Sequence, residues 1–327
     1  MTLAFATGDP AGVGPAVSAV AALEIAREGE AVLVLGDATQ LAARLPGVRV
    51  VPHAVALAPG EIAIVDTGRV DPAAIAKHSP SREVGAAQLR ALDAATRAVR
   101  DGHARALVTA PTSKEAVTMS GTPFVGQTEH LARGAGLRDD EVTMLFLGPR
   151  LRLALVTTHL AVRDVPREIT KERVERATVH LGEALARLGR PHGAKVAVAA
   201  LNPHAGESGM FGDEEARVIA PAVDAARTRE PYASGRLSLI GIVPAETALR
   251  RAAEGAIDGV VAMMHDQATI ASKLLDWGAA VNVTWGLPFV RASVDHGVAY
   301  DAAARDEADA AGMIAAARCA RVLAGSP

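Results

Sequence analysis

Three histidines in this sequence stand in similar positions, each directly after a short and largely apolar run. The runs and the histidines that follow them are 153–158 before His159, 196–203 before His204 and 260–264 before His265. Such runs predict buried strands, and ligand sites of open α/β sheets lie beyond the carboxyl ends of the strands. Three imidazoles that meet there would suit zinc or another borderline divalent metal, with open positions for a substrate. Their long spacings have no local signature, so three unrelated loop histidines are the alternative.

Segments rich in turn residues surround two of these histidines. The segment 202–207 contains His204, and the segment 265–267 contains His265 followed by Asp266. Carboxylates beside metal-binding imidazoles commonly hold the rings in place. We therefore expect Asp266 to orient a ligand or to handle a proton during catalysis.

Three further polar residues are candidates for binding an anionic substrate. Lys273, Asn282 and Arg291 follow at spacings that could return them to the same site. An ammonium, an amide and a guanidinium suit a phosphate or carboxylate, because the guanidinium of arginine binds such groups through two hydrogen bonds. The alternative for each of these residues is an exposed, solvated side chain.

A glycine-rich segment, 8–15, lies between the predicted strand 3–7 and the predicted helix 15–27. Backbone N–H groups of such a turn can bind an anion at the start of a helix. The segment is neither a Walker loop nor a G-x-G-x-x-G fingerprint, and the chain contains no such fingerprint, no G-x-S-x-G and no H-E-x-x-H. A tight structural turn with Pro15 at the first helical position is the alternative, and the sequence does not decide between the two.

The composition places further limits on function. The chain has 327 residues and a formal net charge of −3 without a basic stripe, which argues against a nucleic-acid partner. Cys319 is the only cysteine, so a disulfide framework and a cysteine-based zinc site are excluded. The segment MTLAFATGDP does not resemble a secretory signal, and no apolar run reaches the ~18 residues of a membrane span. We therefore expect a cytoplasmic protein without a membrane partner.

Short apolar runs alternate with longer amphipathic segments along the chain. The predicted strands are 3–7, 31–35, 61–65, 106–109, 142–147, 151–157, 195–200, 237–240, 259–263 and 280–284. The predicted helices include 15–27, 84–100, 171–188, 214–227 and 308–323. Continuous apolar runs are typical of strands covered on both faces, so this alternation predicts an α/β fold with a largely parallel sheet. No flexible linker is evident, and we expect two interwoven lobes over 1–327, with boundaries that the sequence does not define.

Five motifs of this chain occur together in one known family. They are 9–15 (DPAGVGP), 111–114 (PTSK), 201–207 (LNPHAGE), 264–267 (MHDQ) and 282–297 (NVTWGLPFVRASVDHG). In this order they strongly resemble the 4-hydroxythreonine-4-phosphate dehydrogenase family of vitamin B6 biosynthesis, essentially from end to end. The resemblance implies a fold like that of isocitrate and isopropylmalate dehydrogenases, with two interwoven α/β lobes around a central cleft. It also implies a homodimer with the active site at the interface.

The resemblance also implies an activity. This is the NAD- or NADP-dependent oxidation of 4-phosphooxy-L-threonine to a 3-oxo acid, which decarboxylates to 3-amino-2-oxopropyl phosphate on the route to pyridoxal 5′-phosphate. The implied metal is zinc, with magnesium or cobalt as alternatives, bound by His159, His204 and His265 in a site completed across the dimer interface. The implied substrate contacts are Thr128, Lys273, Asn282 and Arg291, and the residues that contact NAD are not identified.

The chain departs from the family pattern at several positions. The family usually has histidine where this chain has Gln127, and we expect Gln127 to contact the substrate through hydrogen bonds that carry no charge. The other departures are Ala110, Glu246, Ala268, Arg305 and Asp306. These departures do not affect the metal ligands, but they leave the identity of the substrate undecided. D-Threonate or D-erythronate 4-phosphate is the alternative to 4-phosphooxy-L-threonine. A phosphate acyltransferase and a non-catalytic binding protein are the alternatives from other classes.

Overall fold

The computed structural model describes residues 1–325, and the chain divides into two units. Unit 1 contains residues 1–139 and 287–325, and unit 2 contains residues 140–286. The chain therefore leaves unit 1 once, builds unit 2 and then returns to unit 1. Among the described residues, no helix is both long enough and apolar enough to cross a membrane.

The secondary structure alternates strands and helices in both units. The strands are β1 Thr2–Ala6, β2 Ala31–Gly36, β3 Arg49–Val51, β4 Ile62–Asp66, β5 Ala106–Thr109, β6 Thr143–Leu147, β7 Arg152–Leu155, β8 Ala194–Ala199, β9 Leu237–Val243, β10 Gly259–Ala262, β11 Val281–Trp285 and β12 Val290–Ser293. The α-helices are α1 Gly14–Arg27, α2 Ala38–Arg44, α3 Pro72–Ile75, α4 Arg82–Arg100, α5 Lys114–Met119, α6 Gln127–Gly134, α7 Val165–Glu168, α8 Lys171–Arg187, α9 Ala220–Arg227, α10 Ala245–Ala253, α11 His265–Leu275, α12 Tyr300–Ala304 and α13 Ala311–Gly325. Shorter helical segments are Val162–Asp164, Pro203–Gly209 and the π-helix Glu215–Ile219.

The sheet of unit 1 has the strand order β3–β4–β2–β1–β5–β12, and every neighbouring pair is parallel. All 6 residues of β2 are buried, as expected for a strand covered on both faces. α4 contributes Leu92, Ala95 and Val99 to a core that also contains Leu33 and Leu107 of the sheet. The predicted parallel α/β arrangement is therefore confirmed for unit 1.

The sheet of unit 2 has the strand order β11–β6–β7–β10–β8–β9. β7, β10, β8 and β9 are parallel, whereas β6 is antiparallel to both of its neighbours. A tight turn closed by a bond from Gly148 N–H to the carbonyl of Leu151 joins β6 to β7. So short a connection requires antiparallel pairing, because parallel strands need a long crossover. The prediction of a largely parallel sheet thus holds for unit 2 with β6 as the exception.

Helix α8 packs closely on the strand that precedes His265. Leu181 and Leu185 of α8 are fully buried, and Gly259 of β10 lies against them. A Cβ atom at 259 would lie 2.9 Å from Leu185 Cδ1, which is closer than real side chains approach. Glycine at the start of β10 therefore permits this close contact between helix and sheet.

Some observed elements differ from the predicted ones. The predicted helix 214–227 is a π-helix over Glu215–Ile219 followed by α9. Pro15 is the second residue of α1, which begins at Gly14. The predicted elements do not include β12 or α11, since VRAS is short and partly polar and α11 begins with the polar residues HDQ.

Candidate active site

The three predicted histidines follow three neighbouring strands of unit 2. β10 pairs with β7 on one side and with β8 on the other, and all three strands are parallel. His159 comes after β7, His265 after β10 and His204 after β8. Because parallel strands end at the same edge of a sheet, the three histidines belong to loops at one edge.

His159 and His265 lie side by side. Their ring centroids are 5.5 Å apart and the rings are inclined by 46°. The loops that carry them are joined by hydrogen bonds, because Thr157 donates to the carbonyl of Met263 through its backbone N–H at 3.2 Å and through Oγ1 at 2.7 Å. The loops that follow β7 and β10 therefore hold these two imidazoles next to each other.

Asp266 holds the ring of His265. Nδ1 of His265 lies 2.7 Å from Oδ1 of Asp266 and 3.3 Å from Oγ1 of Thr269. Because Nδ1 is engaged in this way, Nε2 is the ring nitrogen that His265 can offer to a metal or a proton. The expected orienting role of Asp266 agrees with this geometry.

Gln267 joins the loop of His265 to the loop that leads to His204. Its Oε1 accepts a hydrogen bond from Met263 N–H at 2.9 Å, and its Nε2 donates to the carbonyl of Ala200 at 3.0 Å. The side-chain amide thus connects the ends of β10 and β8. The sequence interpretation did not assign this role, although the motif MHDQ contains the residue.

His204 begins a left-handed turn. Residues 204–208 all have positive φ, from 42° at Glu207 to 80° at Gly206, and Gly206 is the only glycine among them. Left-handed conformations cost L-residues roughly 1–2 kcal/mol each, so surrounding contacts must hold this turn. The sequence motif predicts turn residues here, but nothing in its pattern indicates several consecutive left-handed residues.

The three imidazoles do not form one closed metal-binding group within the described residues of a single chain. Across residues 1–325, no group of three or more histidine, cysteine or acidic side chains is close enough to hold a metal ion. Among these residues the structure shows His159 and His265 side by side, and His204 does not complete a metal-binding group with them. The donor type still fits zinc, because imidazole nitrogen is one of its preferred ligands and all three rings reach the surface.

Unit 1 contains a buried guanidinium. Arg291 on β12 is only 3% exposed, and its Nε and Nη2 donate to Oγ1 of Thr109 at 3.2 and 2.8 Å. Nη2 also donates to Oε1 of Gln127 at 3.0 Å. Burial lowers the pKa of Arg291 to about 10, and the carboxylate of Glu129 opposes this effect, so the group is charged at neutral pH. A buried cation that also bonds to hydroxyl and amide oxygens suits an anionic ligand.

Gln127 is the first residue of α6, and its amide is bound at both ends. Its Nε2 donates to the carbonyl of Ala110 at 3.0 Å and to Oγ1 of Thr112 at 3.1 Å, while its Oε1 accepts from Arg291. These bonds orient the amide and fix it beside the guanidinium. Thr128 follows Gln127 on the same helix and is half-buried. The structure thus places Gln127 and Arg291, two of the predicted substrate contacts, against each other.

Lys273 and Asn282 belong to unit 2. Lys273 lies on α11 and is exposed, whereas Asn282 lies on β11 opposite Phe146 of β6. Oδ1 of Asn282 is buried, and among the described residues no donor bonds to it. A buried acceptor without a donor is unfavourable, so Asn282 fits a ligand that brings an N–H or O–H group.

In the glycine-rich segment 8–15, the side chain of Asp9 binds a backbone N–H group of the segment itself. Asp9 is fully buried and accepts hydrogen bonds from Ala11 N–H at 2.8 Å, Gln88 Nε2 at 2.7 Å and Tyr300 Oη at 2.7 Å. Burial raises the pKa of Asp9 to about 6, although the Tyr300 bond lowers it. Because this carboxylate already accepts from a loop N–H group, the structure favours the structural turn over an anion-binding loop.

The sequence analysis did not identify two residues that contact the candidate site residues or their loops. Thr109 ends β5 and accepts both bonds from Arg291, and a polar residue at the end of an apolar strand is the signal that could have indicated it. Glu215 is buried beneath the left-handed turn, and its position at the start of a predicted helix gives no sign of burial.

Known proteins resemble this chain along nearly its whole length. The model of the family "Pyridoxal phosphate biosynthetic protein PdxA" matches residues 27–320. A 4-hydroxythreonine-4-phosphate dehydrogenase from Geobacter metallireducens is 42% identical over 97% of this chain and 94% of its own length. A D-threonate 4-phosphate dehydrogenase from Pectobacterium atrosepticum is 35% identical over 98% of this chain and 99% of its own. The crystal structure of 4-hydroxythreonine-4-phosphate dehydrogenase from Klebsiella pneumoniae matches with a TM-score of 0.82 and 34% identity, covering 99% of both chains.

Proposed function

This chain belongs to the PdxA family of pyridoxal phosphate biosynthetic proteins, and from that premise we propose that it oxidises 4-phosphooxy-L-threonine with NAD or NADP. It is an oxidoreductase of the 4-hydroxythreonine-4-phosphate dehydrogenase type. The observation that carries the proposal is the family match over residues 27–320, which includes every candidate site residue. A cytoplasmic location and the absence of nucleic-acid and membrane partners stay predictions of the sequence.

The proposed reaction has two stages. The first removes a hydride from C3 of the substrate, which the nicotinamide ring accepts, and a proton from the C3 hydroxyl. The second breaks the bond between C1 and C2 of the 3-oxo acid and releases carbon dioxide. The electron pair left at C2 then takes up a proton, which gives 3-amino-2-oxopropyl phosphate.

A divalent metal would be held by His159, His204 and His265, with zinc preferred and magnesium or cobalt as alternatives. When bound, such an ion polarises the substrate oxygen and stabilises the negative charge that develops in both stages. Asp266 would keep the ring of His265 oriented through its 2.7 Å contact with Nδ1. A catalytic metal needs open coordination positions for the substrate, and all three rings reach the surface of unit 2.

The substrate would be bound through its charged and polar groups. Arg291 would supply a buried positive charge for the phosphate or carboxylate. Thr128, which follows Gln127 in α6, would supply a hydroxyl group. In unit 2, Lys273 supplies a second positive charge. The buried Oδ1 of Asn282 would accept a hydrogen bond from the ammonium or hydroxyl group of the substrate.

A second copy of the chain is part of the proposal. The helix that begins at His265 exposes Ile270 and Leu274, and Trp277 follows it, with exposed fractions of 59%, 78% and 79%. Met210 and Phe211, close in sequence to His204, are also exposed. Large exposed apolar side chains are typical of protein interfaces, and the ring of Phe211 lies 6.4 Å from that of His204. We therefore propose a homodimer whose interface adjoins the metal site.

D-Threonate or D-erythronate 4-phosphate is the alternative substrate. The specific observation in its favour is Gln127, which stands where the family usually has histidine and whose amide bonds to Ala110, Thr112 and Arg291 without a titratable proton. A D-threonate 4-phosphate dehydrogenase is also among the relatives that match along the whole chain.

The proposal is tested by measuring NADH formation with each of the three phosphorylated acids. The purified protein is freed of metal with EDTA and then supplied with zinc, magnesium or cobalt, with NAD and NADP compared. Turnover of 4-phosphooxy-L-threonine supports the proposal, and turnover of only an aldonate phosphate supports the alternative. Acyl transfer from an acyl phosphate to coenzyme A without NAD reduction would contradict both, as would binding without any turnover.

A further inference from the structure

The left-handed turn that carries His204 is attached to one buried carboxylate. Glu215 is only 7% exposed, and its Oε1 accepts hydrogen bonds from the backbone N–H groups of Leu201 at 2.9 Å and Asn202 at 2.7 Å. Its Oε2 accepts from Nδ2 of Asn202 at 2.9 Å. Together these bonds fix the backbone immediately before Pro203 and His204. Hydrogen bonds to an ionised acceptor are among the stronger ones in proteins.

The same carboxylate also lies against the turn itself. A Cβ atom on Gly206 would lie 3.0 Å from Oε2 of Glu215 and 2.8 Å from the carbonyl oxygen of Gly212. Gly206 has a φ of +80°, which L side chains rarely adopt. Gly206 therefore packs against the carboxylate of Glu215, and no space remains for a side chain at position 206.

We infer that Glu215 is a positioning residue, which fixes the left-handed turn so that His204 is presented to a divalent metal. The inference rests on the proposed function, because it takes His204 as a metal ligand. Glu215 bonds to backbone and amide N–H groups of Leu201 and Asn202, so it acts through the backbone of the turn. A ligand held in place before the metal arrives loses less conformational freedom on binding, which increases affinity.

The neighbouring carboxylate supplies a matched control. Oε2 of Glu214 accepts a hydrogen bond from Nδ2 of Asn202 at 2.7 Å, so it contacts the side chain rather than the backbone of this segment. Glu214→Gln removes a charge at the adjacent position and keeps the two backbone bonds of Glu215. Glu215→Gln keeps the size of the side chain but replaces one acceptor oxygen with an amide that donates, which opposes the N–H groups around it.

The experiment measures zinc binding to the metal-free, full-length protein by calorimetry. We expect the wild type to bind zinc, His204→Ala to bind far more weakly, Glu215→Gln to bind about 10- to 100-fold more weakly, and Glu214→Gln to stay within about threefold of the wild type. Cobalt(II) binding is followed in parallel, because its visible spectrum reports the geometry of the ligands. We expect the spectrum to change in Glu215→Gln and to be preserved in Glu214→Gln.

The unfolding temperature of each metal-free variant separates positioning from general stability. A lower unfolding temperature of Glu215→Gln with an unchanged zinc Kd and cobalt spectrum would overturn the inference. If Glu215→Gln does not fold, Gly206→Ala carries the test, because its methyl group presses on the same carboxylate oxygen and should weaken zinc binding while the fold is retained. If His204→Ala binds zinc like the wild type, the assignment of His204 as a ligand fails and the inference fails with it. Loss of affinity in His204→Ala but not in Glu215→Gln or Gly206→Ala contradicts the inference alone.

Discussion

The side-chain amide of Gln127 and the guanidinium of Arg291 form a hydrogen bond of 3.0 Å between residues that are 164 positions apart in sequence. The amide is oriented by its donations to Ala110 and Thr112, so the oxygen faces the guanidinium. Gln127 thus supports a buried positive charge without neutralising it. A buried guanidinium of this kind is suited to an anionic substrate group.

Gln127→Glu is expected to weaken substrate binding. A carboxylate at this position would pair with Arg291 and compete with the substrate anion, so we expect KM to rise about tenfold or more, with a smaller change in kcat. Gln127→His restores the usual family residue and should change KM much less. Steady-state kinetics with the preferred phosphorylated acid measure both variants. Equal KM values for Gln127→Glu and the wild type would remove Gln127 and Arg291 from the substrate site.

Arg291→Lys is expected to raise KM by about 10- to 100-fold. Lysine keeps the charge but lacks the planar set of donors that Arg291 directs to Thr109 and Gln127, so its ammonium would not be held in the position of the guanidinium. Thr109→Val removes a supporting oxygen and should have a smaller effect in the same direction. The same kinetic assay is used, with circular dichroism as the check on folding. An unchanged KM in Arg291→Lys would contradict a direct role in anion binding.

Asp266→Asn is expected to weaken zinc binding by about 10- to 100-fold. The carboxylate of Asp266 orients the ring of His265 at 2.7 Å, and loss of such a partner usually lowers metal affinity by this amount. Thr269→Val removes the longer contact of 3.3 Å and should cost less affinity. Calorimetric titration with zinc ranks the two variants. Equal zinc affinity in Asp266→Asn and the wild type would show that Asp266 does not support His265.

The buried Asp9 predicts a specific pH dependence of stability. Burial raises its pKa from 3.8 to about 6, so the folded protein binds this proton more tightly than the unfolded chain. Protonation of Asp9 therefore stabilises the fold below about pH 4, and this contribution is lost as the pH rises through about 6. A shift of two pKa units corresponds to roughly 3 kcal/mol in the free energy of unfolding.

Asp9→Asn removes this titration. The free energy of unfolding of the wild type minus that of Asp9→Asn should fall by roughly 3 kcal/mol between about pH 4 and pH 7, as measured by urea unfolding. Asp301→Asn changes an exposed carboxylate in the same unit and should give a difference that is nearly independent of pH. A constant difference for Asp9→Asn over this range would contradict the raised pKa.

Much of the fold follows from local sequence. The apolar runs that become β1, β2, β5 and β10 are recognisable because strands covered on both faces need apolar residues at successive positions. Where local signals are weak, the sequence was insufficient, as in β12, whose central Arg291 is polar although it is buried. The three candidate histidines stood out by their positions after apolar runs, and the family resemblance added Thr128 to Lys273, Asn282 and Arg291 as candidate substrate contacts.

The sequence by itself determined the α/β class, the family and the residue types that could bind a metal and an anion. Only the tertiary structure decided that Gln127 is bound to Arg291, that Asp9 fills its own glycine-rich turn, and that Glu215 lies beneath a left-handed turn at His204. Burial periodicity and turn chemistry are properties of neighbouring residues, so they can be read along a chain. Contacts between distant side chains depend on strand order, register and backbone conformation, and these are settled only when the whole core packs.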